Sequence, residues 1–194
     1  PRRAVDSLRS PLTPDVRPAY VIMRIPRRLL ALAQTGNLDA QCRVADTLLG
    51  VRRSDRHALA RPWLLRAAKA GSAWAQYQLG LSYDRGLGVK RSLAKAMYWY
   101  GLSSSRGYDS AHLNLGILLA NLPGSRRDLP RAIRLYRLAA RAGRPNAAYN
   151  LGLYYLKGRG VRQSYRWALH WFQRAHVLGS RAAAGQIRQI QRRA

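Results

Sequence analysis

The side chains of this 194-residue sequence that could do nucleophilic, acid–base or metal chemistry are one cysteine, four histidines and eight acidic residues. Their spacing assembles none of those chemistries. His170 and His176 stand six apart, the wrong interval for one face of a helix, and no HExxH motif occurs. Cys42, Asp55 and His57 can be drawn as a nucleophile, an acid and a base, yet nothing in the sequence places them together. There is no glutamate, and scattered aspartates are a poor source of the paired carboxylates that general acid–base catalysis uses. The segment GLGVKRS at 86–92 carries glycines like a phosphate-cradling loop, but it lacks the GxxxxGK[ST] spacing and a preceding strand, and it recurs as a turn. The expectation is a non-enzymatic protein with no catalytic residues, no cofactor and no metal site.

The chemistry in surplus is the guanidinium group. Thirty-five basic residues against eight acidic give a formal charge of +27, and the only lysines are Lys69, Lys90, Lys95 and Lys157. Arginine presents a planar fork that matches carboxylate and phosphate, so the chain is equipped for anionic partners. A genome that writes arginine for lysine, with selection for solubility, would produce the same bias, and net charge argues association and not fold.

The elements that position these groups are announced by self-similarity. AQYQLGLSYDRGLGVKRSLAKAMYWY, from Ala75, returns as AAYNLGLYYLKGRGVRQSYRWALHWF from Ala147, with a worn copy, AHLNLGILLANLPGSRRDLPRAIRLY, from Ala111. A period of 36 residues marks a stacked helical array. Three clear units span 72–107, 108–143 and 144–179; a divergent one spans about 37–71, with Ala40 one residue out of register with Ala75; and 180–194 reads as a capping half-unit. Residues 1–26 hold five of the nine prolines and read as an extended Pro- and Arg-rich arm, with helical patterning from Arg27.

Each unit divides into two helices. Ala75, Leu79, Gly80 and Tyr83, matched by Ala111, Leu115, Gly116 and Leu119 and by Ala147, Leu151, Gly152 and Tyr155, fall on one side of the first helix; Tyr77 and Leu81 fall on the other. A helix apolar on two sides is gripped on two sides. Ser92, Asp128 and Ser164 are expected N-caps of the second helix. That helix buries Ala96, Trp99, Tyr100 and Ser103 and their equivalents, and Gly71, Gly107, Gly143 and Gly179 stop each unit.

The run Ala-x-x-x-Leu-Gly, Gly-x-Gly-Val, Ala-x-x-Trp and closing Gly resembles the Sel1-like repeat, a relative of the tetratricopeptide repeat, over roughly residues 37–194. The resemblance implies an all-α fold, an α-solenoid of about four helix-turn-helix repeats with a C-terminal capping helix, acting as a scaffold for protein–protein contact. Family members include adaptors in protein degradation, bacterial envelope and secretion factors, and immunity proteins that neutralise toxic effectors. This chain departs from the pattern at Lys95 and Arg131, where the family often has acids, and its single cysteine, Cys42, excludes the disulfide-stapled members as a guide. A cation in a helix's first turn opposes the macrodipole, so the charge there serves something other than stability, unless genome composition put it there.

Two faces are left for a partner. On the first helices, Trp74, Gln78 and Arg85, then Ser110, Asn114 and Asn121, then Asn146, Asn150 and Lys157, bordered by Tyr154, form an amide-rich strip expected to line the groove. On the second helices, Arg131, Arg134, Arg137 and Arg141 make an outer basic stripe, joined by Arg166 and Arg174 and by the loop cations Lys90, Arg91, Arg126, Arg127, Arg159 and Arg162. The leading expectation is a scaffold for an acidic protein, in its sharpest form a bacterial immunity protein or an envelope or secretion adaptor. Nucleic acid is the alternative partner, disfavoured because most aromatics occupy packing slots; an anionic membrane surface is the other. The sequence begins at Pro1 and not Met, from which a periplasmic or otherwise exported bacterial protein with its leader removed is expected. Replacing both Asn114 and Asn150 by arginine is expected to abolish groove binding without unfolding the protein.

Overall fold

The computed structural model describes residues 25–51, 55–122 and 127–192; of the expected arm, all but Ile25 and Pro26 lies outside these, as does Arg126. Among the described residues the chain is all helix, with no strand. The helices are α1 (Arg27–Gln34), α2 (Leu38–Gly50), α3 (Arg56–Lys69), α4 (Ala73–Arg85), α5 (Leu93–Ser105), α6 (Asp109–Asn121), α7 (Leu129–Arg141), α8 (Pro145–Lys157), α9 (Tyr165–Val177) and α10 (Arg181–Gln191). Packing is most extensive within the pairs α2–α3, α4–α5, α6–α7 and α8–α9, and next most extensive between successive pairs, so each helix leans on its chain neighbours, as in an α-solenoid.

Helix ends follow the local sequence. The Ser92 and Ser164 side chains accept hydrogen bonds from the Lys95 and Trp167 N–H groups, as expected of N-caps. Asp128 does not: its backbone is helical (φ −91°, ψ −14°), and its side chain makes no cap bond. A residue already wound into the helical region cannot fold its carboxylate back onto the first turn as an extended one can. Two of the first helices, α2 and α4, have side-chain caps, whereas α6 and α8 have none. Asn37 accepts from Ala40 N at 2.9 Å and Ser72 from Ala75 N at 3.2 Å, each directly after a unit-ending glycine. Those glycines, Gly36, Gly71, Gly107, Gly143 and Gly179, share φ values of +79° to +98°, where a side chain is strained.

Within a unit, the tightest contact sets a ring against a missing side chain. A methyl group on Gly80 would lie 2.5 Å from the Tyr100 ring, one on Gly116 3.0 Å from Tyr136, and one on Gly152 2.6 Å from Phe172. All three rings are buried, and the alanines beside them, Ala96, Ala132 and Ala168, are fully enclosed. Glycine in mid-helix sacrifices helix propensity, and here the return is close approach of the two helices. Between units, polar ties add to the apolar packing. Gln76 Nε2 donates to the Ala68 carbonyl at 3.0 Å, and Gln41 Nε2 donates to Ala33 at 3.2 Å. The repeated bond places α1 where the second helix of a preceding unit would stand. One period on, His112 Nδ1 meets Ser104 Oγ at 2.8 Å. The buried apolar residues form two clusters, Ile25 to Leu79 and Tyr83 to Ile190, and Trp99 packs against both.

Two expectations follow for stability. Gly80→Ala should destabilise the fold by about 1–3 kcal/mol, through overpacking against Tyr100. Gly101→Ala, at a mid-helix site with nothing within 4 Å, should stabilise it by about 0.5–1 kcal/mol. Urea unfolding of the two variants checks the opposed signs. Burial holds the His112 imidazole below its ordinary value of 6.5, and burial with Arg56 does the same to His57. Below pH 6.5 the unfolded chain takes up protons that the folded chain refuses, so this contribution to stability is whole above 6.5 and is lost as pH falls towards the depressed folded value. Thermal midpoints measured at about pH 7.5 and about pH 5 should therefore drop on acidification, and His112→Gln, which restores the residue type of Gln76, should shrink the drop.

Candidate functional site

Part of the amide strip is committed to the array itself. Asn114 Nδ2 donates to the Tyr100 hydroxyl at 3.1 Å, reaching from α6 back to the buried ring of α5. One period later Asn150, on α8, and Tyr154 meet the hydroxyl of Tyr136 on α7. Burial pushes both tyrosine hydroxyls far above their ordinary value of 10.0, so each stays protonated and needs a partner. Gln78 faces no such hydroxyl, because the equivalent position one unit back is Leu64. Arginine at 114 would therefore take a hydrogen-bond partner from a buried hydroxyl, a direct effect on the fold beside any effect on groove binding.

The strip does not form one continuous site. Asn150, Tyr154 and Lys157, with Asn121, gather around a cleft of about 340 Å³ between α6 and α8, floored by Ile117 and Leu153 and closed by Tyr136 and Arg159. Two cations and two amides line it, and no carboxylate does. Tyr154 is buried, its ring 5.6 Å from that of Tyr136, with the Arg159 guanidinium 5.7 Å from its centre. Trp74 lies elsewhere, in a smaller recess with Cys42, Arg43 and Asp46. Arg85 and Asn146 are exposed and Ser110 is half-buried, all outside the cleft.

The arginines divide into two populations. Arg131, Arg134 and Arg141 on α7 are exposed, but Arg137 is half-buried and donates to the Tyr155 hydroxyl at 2.6 Å. Arg159 Nη2 donates to the Ala120 carbonyl at 2.8 Å, Arg174 donates to that of Ala140 at 3.4 Å, and Arg91 Nε donates to that of Asp84 at 2.8 Å. Each acceptor is near a helix C-terminus, where carbonyls lack helical partners and the macrodipole is negative. Part of the recurring charge therefore serves the array, which the one-dimensional pattern gave no means of seeing.

The aromatics also divide. Most pack, yet Tyr98, Tyr165 and Trp167 are 61%, 48% and 51% exposed. Trp167 occupies the slot of Lys95 and Arg131, a surface position, and that register was the available signal for its exposure. The drawn triad is not assembled: the Cys42 thiol donates to Ser72 Oγ at 3.3 Å, and His57 Nδ1 is buried without a hydrogen-bond partner. Among the described residues no group of three metal-ligating side chains occurs, and no helix is long and apolar enough to cross a membrane.

Comparison with known proteins agrees with this architecture. The Sel1 repeat family model matches residues 38–72, 75–108, 109–143 and 145–175. Among solved structures, a protective antigen of uropathogenic Escherichia coli displaying an SLR fold is 30% identical with a TM-score of 0.76, over 82% of this chain and 34% of that one. The chain thus spans about a third of that relative's length. A Sel1 repeat protein from Oxalobacter formigenes is 26% identical with a TM-score of 0.74, over 88% and 72% of the two chains. An immunity protein from Pseudomonas aeruginosa is 21% identical over 76% and 68%, and its TM-score of 0.40 is too low to carry any inference. No curated protein matches.

The Asn114–Tyr100 bond makes its own prediction. Asn114→Ala should destabilise the fold by about 1–2 kcal/mol, the usual consequence of orphaning a buried hydroxyl. In the double variant with Tyr100→Phe most of that loss should be recovered. A double-mutant cycle by urea unfolding measures it, and independent, additive effects would show that the bond contributes nothing.

Proposed function

The chain belongs to the Sel1 repeat family, whose members are generally protein-interaction scaffolds, and on that premise we propose that it holds an acidic polypeptide segment in the cleft between α6 and α8. The observation that carries this reading is the lining of the cleft: Lys157 and Arg159 with no neighbouring carboxylate, beside the amides of Asn121 and Asn150 and the apolar side chains of Ile117 and Leu153. Amides satisfy a peptide's backbone donors and acceptors, the apolar floor takes one side chain, and the cations favour an acid next to it. A charge of +27 steers an acidic partner to the surface before the cleft selects its segment. The role is binding without catalysis. In its sharpest form it is that of an immunity protein occupying an acidic surface of a secreted bacterial toxin, with an envelope or secretion adaptor as the next form.

Affinity capture of partners from a nuclease-treated extract, washed at moderate salt, tests the reading. One stoichiometric acidic protein should remain on the wild-type chain and be lost from Lys157→Glu, a change at an exposed side chain that leaves the fold intact. Capture that survives Lys157→Glu but fails with Arg131, Arg134 and Arg141 all changed to Glu would move the site to the outer face. Arg137 is kept out of that set because of its bond to Tyr155. Nothing remaining after nuclease would end the protein-scaffold reading.

A further inference from the structure

A second surface, where Tyr155 of α8 meets the start of α9 and the loop before it, has the chemistry of a different ligand. Trp167 sits in the first turn of α9 with half its surface in solvent. Its indole is nonetheless held in place. One face stacks on Tyr155 (centroids 6.0 Å, interplanar 30°), and its edge meets His170 at 5.4 Å. Tyr155 is itself fixed by the Arg137 guanidinium on its hydroxyl at 2.6 Å. Beside Trp167 opens a notch of about 580 Å³ bounded by Tyr155, Val161, Arg162, Gln163 and Ser164, within the size range of small-ligand sites.

The lining of this notch is cationic. Arg162 lines it, Arg166 is exposed next to Trp167, and no carboxylate is among the lining side chains, although Asp128 stands one residue before Leu129, which packs on Gly160 of the same loop. A flat, braced, exposed indole among guanidinium groups is complementary to a ligand that has both a planar ring and an anionic link. Acidic peptide supplies the charge but not a ring at each residue. Duplex DNA or RNA supplies the charge but keeps its rings stacked inside. An unpaired nucleotide supplies both, the base lying on Trp167 and the flanking phosphates on arginine.

We propose that the Trp167–Arg162 notch binds the unpaired bases of single-stranded nucleic acid. This site is separate from the α6–α8 cleft and does not depend on the reading of that cleft. It also gives the exposed arginines of α7 a use, because Arg131 shares the helix-surface slot of Trp167 one unit away and offers the strand a continued cationic track.

The test compares, by fluorescence anisotropy at one fixed salt concentration, the full chain with a dozen-nucleotide oligothymidylate, an abasic strand of the same length and charge, and a duplex of the same length. The intact single strand should bind at least about tenfold more tightly than the abasic strand, the difference being base stacking. Trp167→Ala should erase that preference while leaving abasic affinity in place, Trp167→Tyr should keep most of it, and Arg162→Glu should weaken all three ligands. Lys157→Glu, in the other cleft, should leave the preference between intact and abasic strands unchanged. Circular dichroism of each variant establishes that the fold is kept, and Trp167→Tyr keeps the test decisive if the alanine variant fails it. Equal affinity for intact and abasic strands would overturn the proposal, as would a preference that survives Trp167→Ala in a folded protein. Binding to anionic phosphatidylglycerol vesicles with no preference among the strands would overturn it too, and would assign the face to a lipid surface.

Discussion

The array depends on one contact, a ring of the second helix seated on a residue of the first helix that has no side chain. Tyr100 on Gly80, Tyr136 on Gly116 and Phe172 on Gly152 bring the two helices of each unit closer than any other residue would permit. That proximity encloses the alanines between them and fixes how one helix crosses the other. It also decides where the tip of each ring emerges. The hydroxyls of Tyr100 and Tyr136 are delivered to the boundary with the following unit, where Asn114 and Asn150 meet them. A single steric constraint therefore sets the geometry inside a unit and provides a polar tie to the next.

The last unit confirms this logic by what it gives up. Phe172 has no hydroxyl, and the position equivalent to Asn150 one period on is Gln186. The glycine slot becomes Arg188, which is exposed, so no ring is accommodated there. Ala183, in the slot of Ala147, stays fully buried against the preceding unit. α10 thus keeps the side that faces backwards and abandons the side that would face forwards, which is how a capping element differs from a repeating one.

The period, the helix pairs, the glycine stops and the packing alanines were legible in the sequence because each depends on residue type at a fixed interval. Gly80 with Tyr100 recurs as Gly152 with Phe172, and recurrence separates such a pair from chance. The failures were of another kind. Asn114 looked like a free surface amide because a helical wheel shows which way a side chain points and not what waits there. Asp128 has the residue type of a cap, while its helical backbone does not suit one. Arg159 and Arg174 looked like spare charge until the ends of α6 and α7 were placed beside them. Trp167 is of a type that usually packs, although its register with Lys95 and Arg131 marks it as external. Periodicity reveals the internal grammar of a repeat; the relations between one unit and the next need coordinates.

The seams between units carry one further consequence. Among the described residues extensive packing runs between chain neighbours, so a unit takes its position chiefly from the units on either side. Such an object behaves as a spring, and its softest coordinate is the small rotation at each seam. The cleft formed by Ile117 and Asn121 on one side and Asn150, Leu153 and Lys157 on the other straddles such a seam. Its width is therefore the local curvature of the superhelix, and an occupant wedged there would stiffen the array and alter the pitch at which the ends of the chain are presented.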